Sequence, residues 1–278
     1  MTHWTSVVSY HTDPEVCGVA KFSKQLAARL GVPLVGLSPM VEAQLAPAPL
    51  FSIKWAEIDP QEIRTPWFQR QLLGTDQLWH DEPPPTAPSP GRVWKLYEIG
   101  VPALVTPSRI TDAGILARTE ALFTFGMAHK LDHEHFGALA ALLPGFELWI
   151  STAAHEGAGP SRVPDLMQRW GPRARNLGHL TDDALGLVWP RVMACVAFFE
   201  HGLRPNNSSV HAALNAGVPV ITNWGPGTPD DLKAITHDVS NLLPSLEAVL
   251  DATPHNWPPP SPYTWDRLLK ELGCEPSR

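Results

Sequence analysis

Short apolar runs alternate along this chain with longer stretches of helical period, the pattern of βα units wound around a parallel sheet. TSVVSY, from Thr5 to Tyr10, predicts a first strand. The turn HTDPEVCG follows, then VAKFSKQLAARLG, which places Val19, Phe22, Leu26 and Leu30 on one helical face and Gly31 at its stop. VPLVGLS predicts a second strand. After a proline-broken region come FSIKW, a helix through Trp67 to Leu73, and a strand ending in DQLWHDEP; PALVTPS closes this half.

The pattern then starts again. EALFTFGMAHK predicts a strand, HFGALAALL a helix, FELWIS a strand, TDDALGLVWPRV a helix and MACVAFFE a strand. The stretch RPNNSSVHAALNAGVPVITNWG, Arg204 to Gly225, supplies a small-residue helix and the strand VPVIT, and YTWDRLLKELG reads as a last amphipathic helix. The expected division is residues 1–112 and 113–250 as two α/β domains, with 251–278 as a proline-rich segment and closing helix. No repeat of solenoid period is present.

At 278 residues, 44% hydrophobic and 18% charged, the chain can bury a substantial core. Its net charge of −7, without a run of like charges, weighs against a broad electrostatic grip on nucleic acid. Cys17, Cys195 and Cys274 are far apart and odd in number, so they form neither a disulfide framework nor a metal spacing. No signal peptide and no apolar run of membrane-spanning length is visible, so the expectation is a cytoplasmic protein without membrane insertion. His129, His133 and His135 stand close together, but no second cluster of zinc spacing accompanies them, and the expectation is no metal.

The Arg204–Gly225 stretch carries the first candidate chemistry. A helix beginning near Ser208 leaves its first amides without intrahelical partners. Asn207 or Ser208 can cap one; the rest, with the positive end of the helix dipole, suit a phosphate. Small side chains at Ser208 and Ser209 let a bulky ligand approach, and Arg204 beside the mouth can hold two oxygens at once. A plain capped core helix reads equally from the same residues. Gly18, between a strand and a helix, removes a side chain where a ligand could approach the backbone. His11 and Asp13 end the first strand and would face a cleft, because ligands in such folds bind beyond the carboxyl ends of strands.

The run RNLGHLTDDALGLVWPRVMACVAFFEHGLRPNNSSVHAALNAGVPVIT resembles the nucleotide-binding half of GT-B glycosyltransferases related to sucrose and glycogen synthases, with Gly178, Asp182, Leu185, Phe199, Gly217, Pro219 and Val220 in matching places. SYHTDPEVCGVAKFSKQLAARLG resembles that family's first strand, glycine-bearing loop and first helix, and TWDRLLKEL its closing helix. The resemblance implies two Rossmann-like α/β domains with a central cleft, and a closing helix that crosses back to the first domain. It implies a hexosyltransferase that needs no metal and no cofactor, with a UDP-sugar such as UDP-glucose as donor.

Under that resemblance the donor is bound by Gly18, Val19, His129, Lys130, Glu200, Arg204, Asn207, Ser208 and Ser209, and Lys130 stabilises the leaving diphosphate. LWHDEPPP resembles a histidine-bearing strand end in relatives and makes His80 and Asp81 catalytic candidates: an aspartate base suits inversion and a histidine contact suits retention. His11 and Asp13 are acceptor-side. The family's paired glutamates fall on Arg204 and Ala212 here, so the ribose is held differently or more weakly. The acceptor is left open among a hydroxymethylated DNA base, a glycan and a small molecule. A nucleotide-sugar epimerase or hydrolase, or a non-catalytic module, are the alternatives.

Overall fold

A computed structural model describes residues 4–15, 17–37, 48–105, 110, 119–128, 131, 133–153, 160–241, 249 and 257–274. The chain divides into two compact units, Met1–Leu104 with Thr264–Arg278, and Val105–Tyr263.

In unit 1 the strands are β1 (Ser6–Ser9), β2 (Leu34–Gly36), β3 (Pro49–Ile53), β4 (Asp76–Trp79) and β5 (Val93–Lys95). All neighbours pair in parallel in the order β2-β1-β3-β4-β5. Between them run α1 (Gly18–Leu30), α2 (Pro60–Ile63) and α3 (Pro66–Leu72), and α4 (Leu96–Ile99) follows β5. The central β1 is buried along its whole length, because parallel strands are covered on both faces. Phe22 and Leu26 of α1 pack one face with Val7, Leu50 and Leu78; Phe68 and Leu72 of α3 pack the other with Val8, Phe51 and Ile53. Thr65 caps α3 by accepting the Phe68 amide at 3.2 Å.

Unit 2 adds β6 (Ala121–Met127), β7 (Glu147–Ala153), β8 (Ala174–Gly178), β9 (Ala194–Ala197), β10 (Val220–Thr222) and β11 (His237–Asp238). Its helices are α5 (His133–Leu142), α6 (Val163–Trp170), α7 (Asp182–Val188), α8 (Ser208–Ala216) and α9 (Asp230–Lys233). The parallel order β8-β7-β6-β9-β10-β11 is the Rossmann 3-2-1-4-5-6 arrangement when counted within the unit. Phe136, Leu139, Leu166 and Trp170 of α5 and α6 pack against Leu148, Ile150 and Val196 of the sheet.

The chain ends in unit 1. Thr264 caps a closing helix, Trp265–Glu271, whose Leu268 and Leu269, with Leu272 just beyond, join the α1 core. The Trp265 ring stacks on Phe22 at 5.5 Å and lies under the Arg29 guanidinium, and Trp94 donates to the Glu271 carbonyl at 3.0 Å. Truncating Leu268 to Ala therefore costs unit 1 about 2–5 kcal/mol, read as a lower urea midpoint by tryptophan fluorescence.

Candidate functional site

In open α/β sheets a ligand crevice opens at the carboxyl edge where strand order reverses. In unit 2 that point lies between β6 and β9. β6 stays paired with β7 through Met127↔Ala153 but leaves β9 after Phe123↔Cys195. Gly126 lies in the stretch that β9 no longer pairs, at φ 144°, with open space where a side chain would stand. His129 and Lys130 come next in sequence and lie outside the described residues.

Beyond β9 the chain enters a loop fixed by the loop after β10. Asn223 clamps both backbone groups of Phe199, accepting its amide at 2.8 Å and donating to its carbonyl at 2.7 Å. The Leu203 amide reaches the Asn223 carbonyl, and Thr228 Oγ1 donates to the Leu203 carbonyl while accepting the Gly225 amide. The two loops touch backbone to backbone at Gly202 and Gly225: a Cβ on Gly202 would stand 2.4 Å from the Gly225 nitrogen. Trp224 is oriented by Asp238 on its amide and Thr236 on its indole.

This scaffold delivers the chain to α8. Asn207 does not cap the helix forward, as the sequence allowed; its Oδ1 turns back to accept the Arg204 amide at 2.6 Å. The amides of Ser208 and Val210 are engaged by the carbonyls of Asn206 and Asn207, each at 3.0 Å. Of the helix's first three amides, that of Ser209 is the one without a partner among the described residues. The mouth is accordingly narrower than a fully open helix end. Arg204, Asn207, Ser208 and Ser209 are all half-buried, and Glu200 and His201 are exposed on the same loop.

The unit 1 candidates gather at the carboxyl edge of its own sheet, where order reverses between β1 and β3. His11 Nε2 lies 3.4 Å from the Glu57 carboxylate, which also pairs with Lys54. Tyr10 donates to Glu62 at 2.9 Å, and burial, with Glu62 adding to it, raises its hydroxyl pKa. Asp13 is exposed and accepts the Glu15 amide, a turn-forming role. Both Asp81 oxygens are occupied, by the amides of Trp55 at 2.7 Å and Ala56 at 3.0 Å. Burial nevertheless outweighs those bonds and lifts the Asp81 carboxyl above its ordinary value.

His80 Nε2 meets Ser52 Oγ at 2.9 Å, which in turn accepts from Ser23 at 2.8 Å, and its ring stands edge-on to Phe22. Gly18 opens α1 with nothing within 4 Å of a built Cβ, while the Val19 side chain is buried with Cys17 and Ala20. The Val19 side chain is thus turned into the core, and the Val19 and Ala20 amides face the Cys17 thiol. Sequence reasoning missed Glu57, Lys54 and Asn223: Glu57 faces His11 and Asn223 faces Phe199 across long sequence separations, and Lys54 enters only as the i,i+3 partner of Glu57. Cys195 is fully buried, which pushes its thiol up to about 12 and removes it as a nucleophile. Among the described residues no three His, Cys, Asp or Glu groups gather as a metal site, and no helix is long and apolar enough to cross a membrane.

Two parallel sheets in these orders, with helices on their faces and a closing helix returned to the first unit, make the GT-B fold of glycosyltransferases, as the sequence led us to expect. Sucrose-phosphate synthase from Thermosynechococcus elongatus superposes with a TM-score of 0.51 at 14% identity, over 90% of this chain and 74% of that one. AviGT4, a glycosyltransferase involved in avilamycin A biosynthesis, gives 0.45 at 15% identity over 83% of this chain and 80% of its own. The lipopolysaccharide outer core galactosyltransferase WaaB gives 0.47 at 10% identity over 88% and 89%. No protein-family profile and no curated protein sequence matches the chain.

Two outcomes follow from this geometry. Gly202→Ala forces a Cβ into the Gly225 backbone at a φ of 75° that side chains disfavour; it destabilises unit 2 by more than about 1 kcal/mol, seen as a lower thermal midpoint. Burial raises the folded-state pKa of Asp81, so the fold favours its protonated form. The stability it contributes is present below the ordinary aspartate value and is lost as pH rises through the raised one. Asp81→Asn removes that decline, measured as urea midpoints of the two proteins across the acidic range.

Proposed function

We propose that this protein is a hexosyltransferase that moves a sugar from a nucleotide diphosphate, a UDP-hexose such as UDP-glucose, to an acceptor hydroxyl. The observation that carries the reading is the α8 mouth. A Ser209 amide without a partner among the described residues, a nearby guanidinium at Arg204 and the helix dipole lie just past the carboxyl end of β9, beside the switch point of a GT-B nucleotide-binding unit. Cleaving the sugar–phosphate bond builds charge on the leaving diphosphate. Fixed donors already aimed at it stabilise the transition state without reorganising.

In this reading Ser208, Ser209 and Asn207 receive the diphosphate, Arg204 binds its oxygens, and Glu200 takes the place of the missing ribose glutamate. Lys130, with His129 beside it, follows β6 in sequence and supplies the second cation. Gly18 and the Val19 backbone add donor contacts. On unit 1, His11 and Asp13 are acceptor-side. His80, oriented by Ser52, and Asp81 are the catalytic candidates at the end of β4. No metal and no cofactor enters the scheme. The acceptor is a glycan, a small molecule or a hydroxymethylated DNA base, the last disfavoured by a net charge of −7. The protein works in the cytoplasm.

Calorimetry with UDP, GDP and ADP, then turnover of labelled UDP-glucose with glycans and with hydroxymethylcytosine DNA, tests the reading. Binding of UDP with transfer to an acceptor is the expected result. Consumption of the sugar nucleotide without any acceptor indicates a hydrolase or epimerase, and indifference to every nucleotide indicates a non-catalytic module. Lys130→Ala lowers turnover by about a hundredfold or more while leaving the thermal midpoint near that of wild type.

A further inference from the structure

His211 has no part in the scheme above, yet it is the one fully buried histidine of the described residues, at 0% exposure in the first turns of α8. Its ring points back toward the start of the helix, as helical side chains do. There Nε2 lies 2.8 Å from the Pro205 carbonyl oxygen. A carbonyl only accepts, so Nε2 carries the hydrogen and Nδ1 of the neutral ring is an acceptor. Ser261 Oγ, 2.8 Å away, supplies the matching donor, because its own acceptor capacity meets the Tyr263 amide at 3.1 Å. One tautomer satisfies every bond. Tyr263 then flanks the ring at 5.0 Å and donates to Asp231 at 3.2 Å.

The identity of that carbonyl is what matters. An α-helical amide donates to the carbonyl four residues earlier, and for Ser209 that residue is Pro205. Were the four-residue bonding of α8 to wind back by two more residues, the Pro205 carbonyl would close on the Ser209 amide and seal the mouth. In the structure the carbonyl is held by the imidazole instead, and the Ser209 amide has no partner among the described residues.

We propose that His211 is a positioning residue for diphosphate capture: its ring holds the Pro205 carbonyl away from the Ser209 amide, and Ser261 and Tyr263 fix the ring in the tautomer that does so. This rests on the donor site described under the proposed function. The ring touches no ligand; it decides whether the amide that does is open. Ser261 and Tyr263 are also two of the last three residues of unit 2 before the chain passes into unit 1 at Thr264. The state of the mouth is thereby tied to the segment that leads into the closing helix.

The test compares His211→Leu, which removes the donor, with His211→Gln, whose amide can still reach the Pro205 carbonyl. UDP titration is expected to show His211→Leu weakened about tenfold or more and His211→Gln within about threefold of wild type, the worth of one hydrogen bond to a charged group. Both variants lose the Ser261 bond, so a merely structural histidine would lower both thermal midpoints without splitting the affinities. Equal UDP binding by wild type and both variants overturns the proposal. If His211→Leu does not fold, Ser261→Ala against Ser261→Thr carries the same comparison, with the threonine retaining UDP binding and the alanine losing it severalfold.

Amide exchange by NMR separates this idea from the donor-site reading. In the unliganded protein the Ser209 amide exchanges faster than that of Val210, and in His211→Leu it becomes protected. An unchanged Ser209 rate sinks the role of His211 whatever the protein binds. A wild type that ignores UDP, GDP, ADP and pyrophosphate sinks the donor site instead, even where the exchange pattern holds.

Discussion

Two backbones pass each other at Gly202 and Gly225 at a separation that no side chain could enter. Everything that makes unit 2 a candidate binding unit is positioned by that approach. It lets Asn223 reach both backbone groups of Phe199 and lets Thr228 bridge Leu203 to Gly225. The loop after β9, which would otherwise hang free, becomes an extension of the sheet. Arg204 and the start of α8 inherit its rigidity, and preorganised donors are worth having only if they do not move.

Much of the fold was legible before any coordinates. The interior strands β9 and β10 are buried on both faces, so they read as unbroken apolar runs, MACVAFF and VPVIT. The amphipathic faces of α1 and the closing helix were equally plain. What escaped were the margins. β5 and β11 are edge strands of three and two residues, and β8 is largely exposed, so none carries enough apolar sequence to stand out. α6 hid behind its prolines, although Pro164 sits in the first turn, where proline is tolerated, and Val163, Leu166 and Trp170 keep helical spacing.

The site was legible in outline only. Its helix mouth announced itself through a run of small polar residues before a small-residue helix. How many amides remain open there depends on where the Asn207 side chain and the neighbouring carbonyls turn, and that is set by tertiary bonds. Asp81 and His80 stood out by their chemistry, but the amides of Trp55 and Ala56 and the hydroxyl of Ser52 that engage them lie on a different strand and turn. Pairings across long sequence separation leave no periodicity to read.

The closing helix has a consequence for how the molecule comes into being. Leu268, Leu269 and Leu272 complete a core whose other walls, Val7, Phe22 and Leu26, are made first. Unit 2 is therefore an insertion, both of its ends stitched into unit 1. During synthesis the later-encoded unit can finish while the earlier one still waits with an open flank, so order of translation and order of completion run in opposite directions.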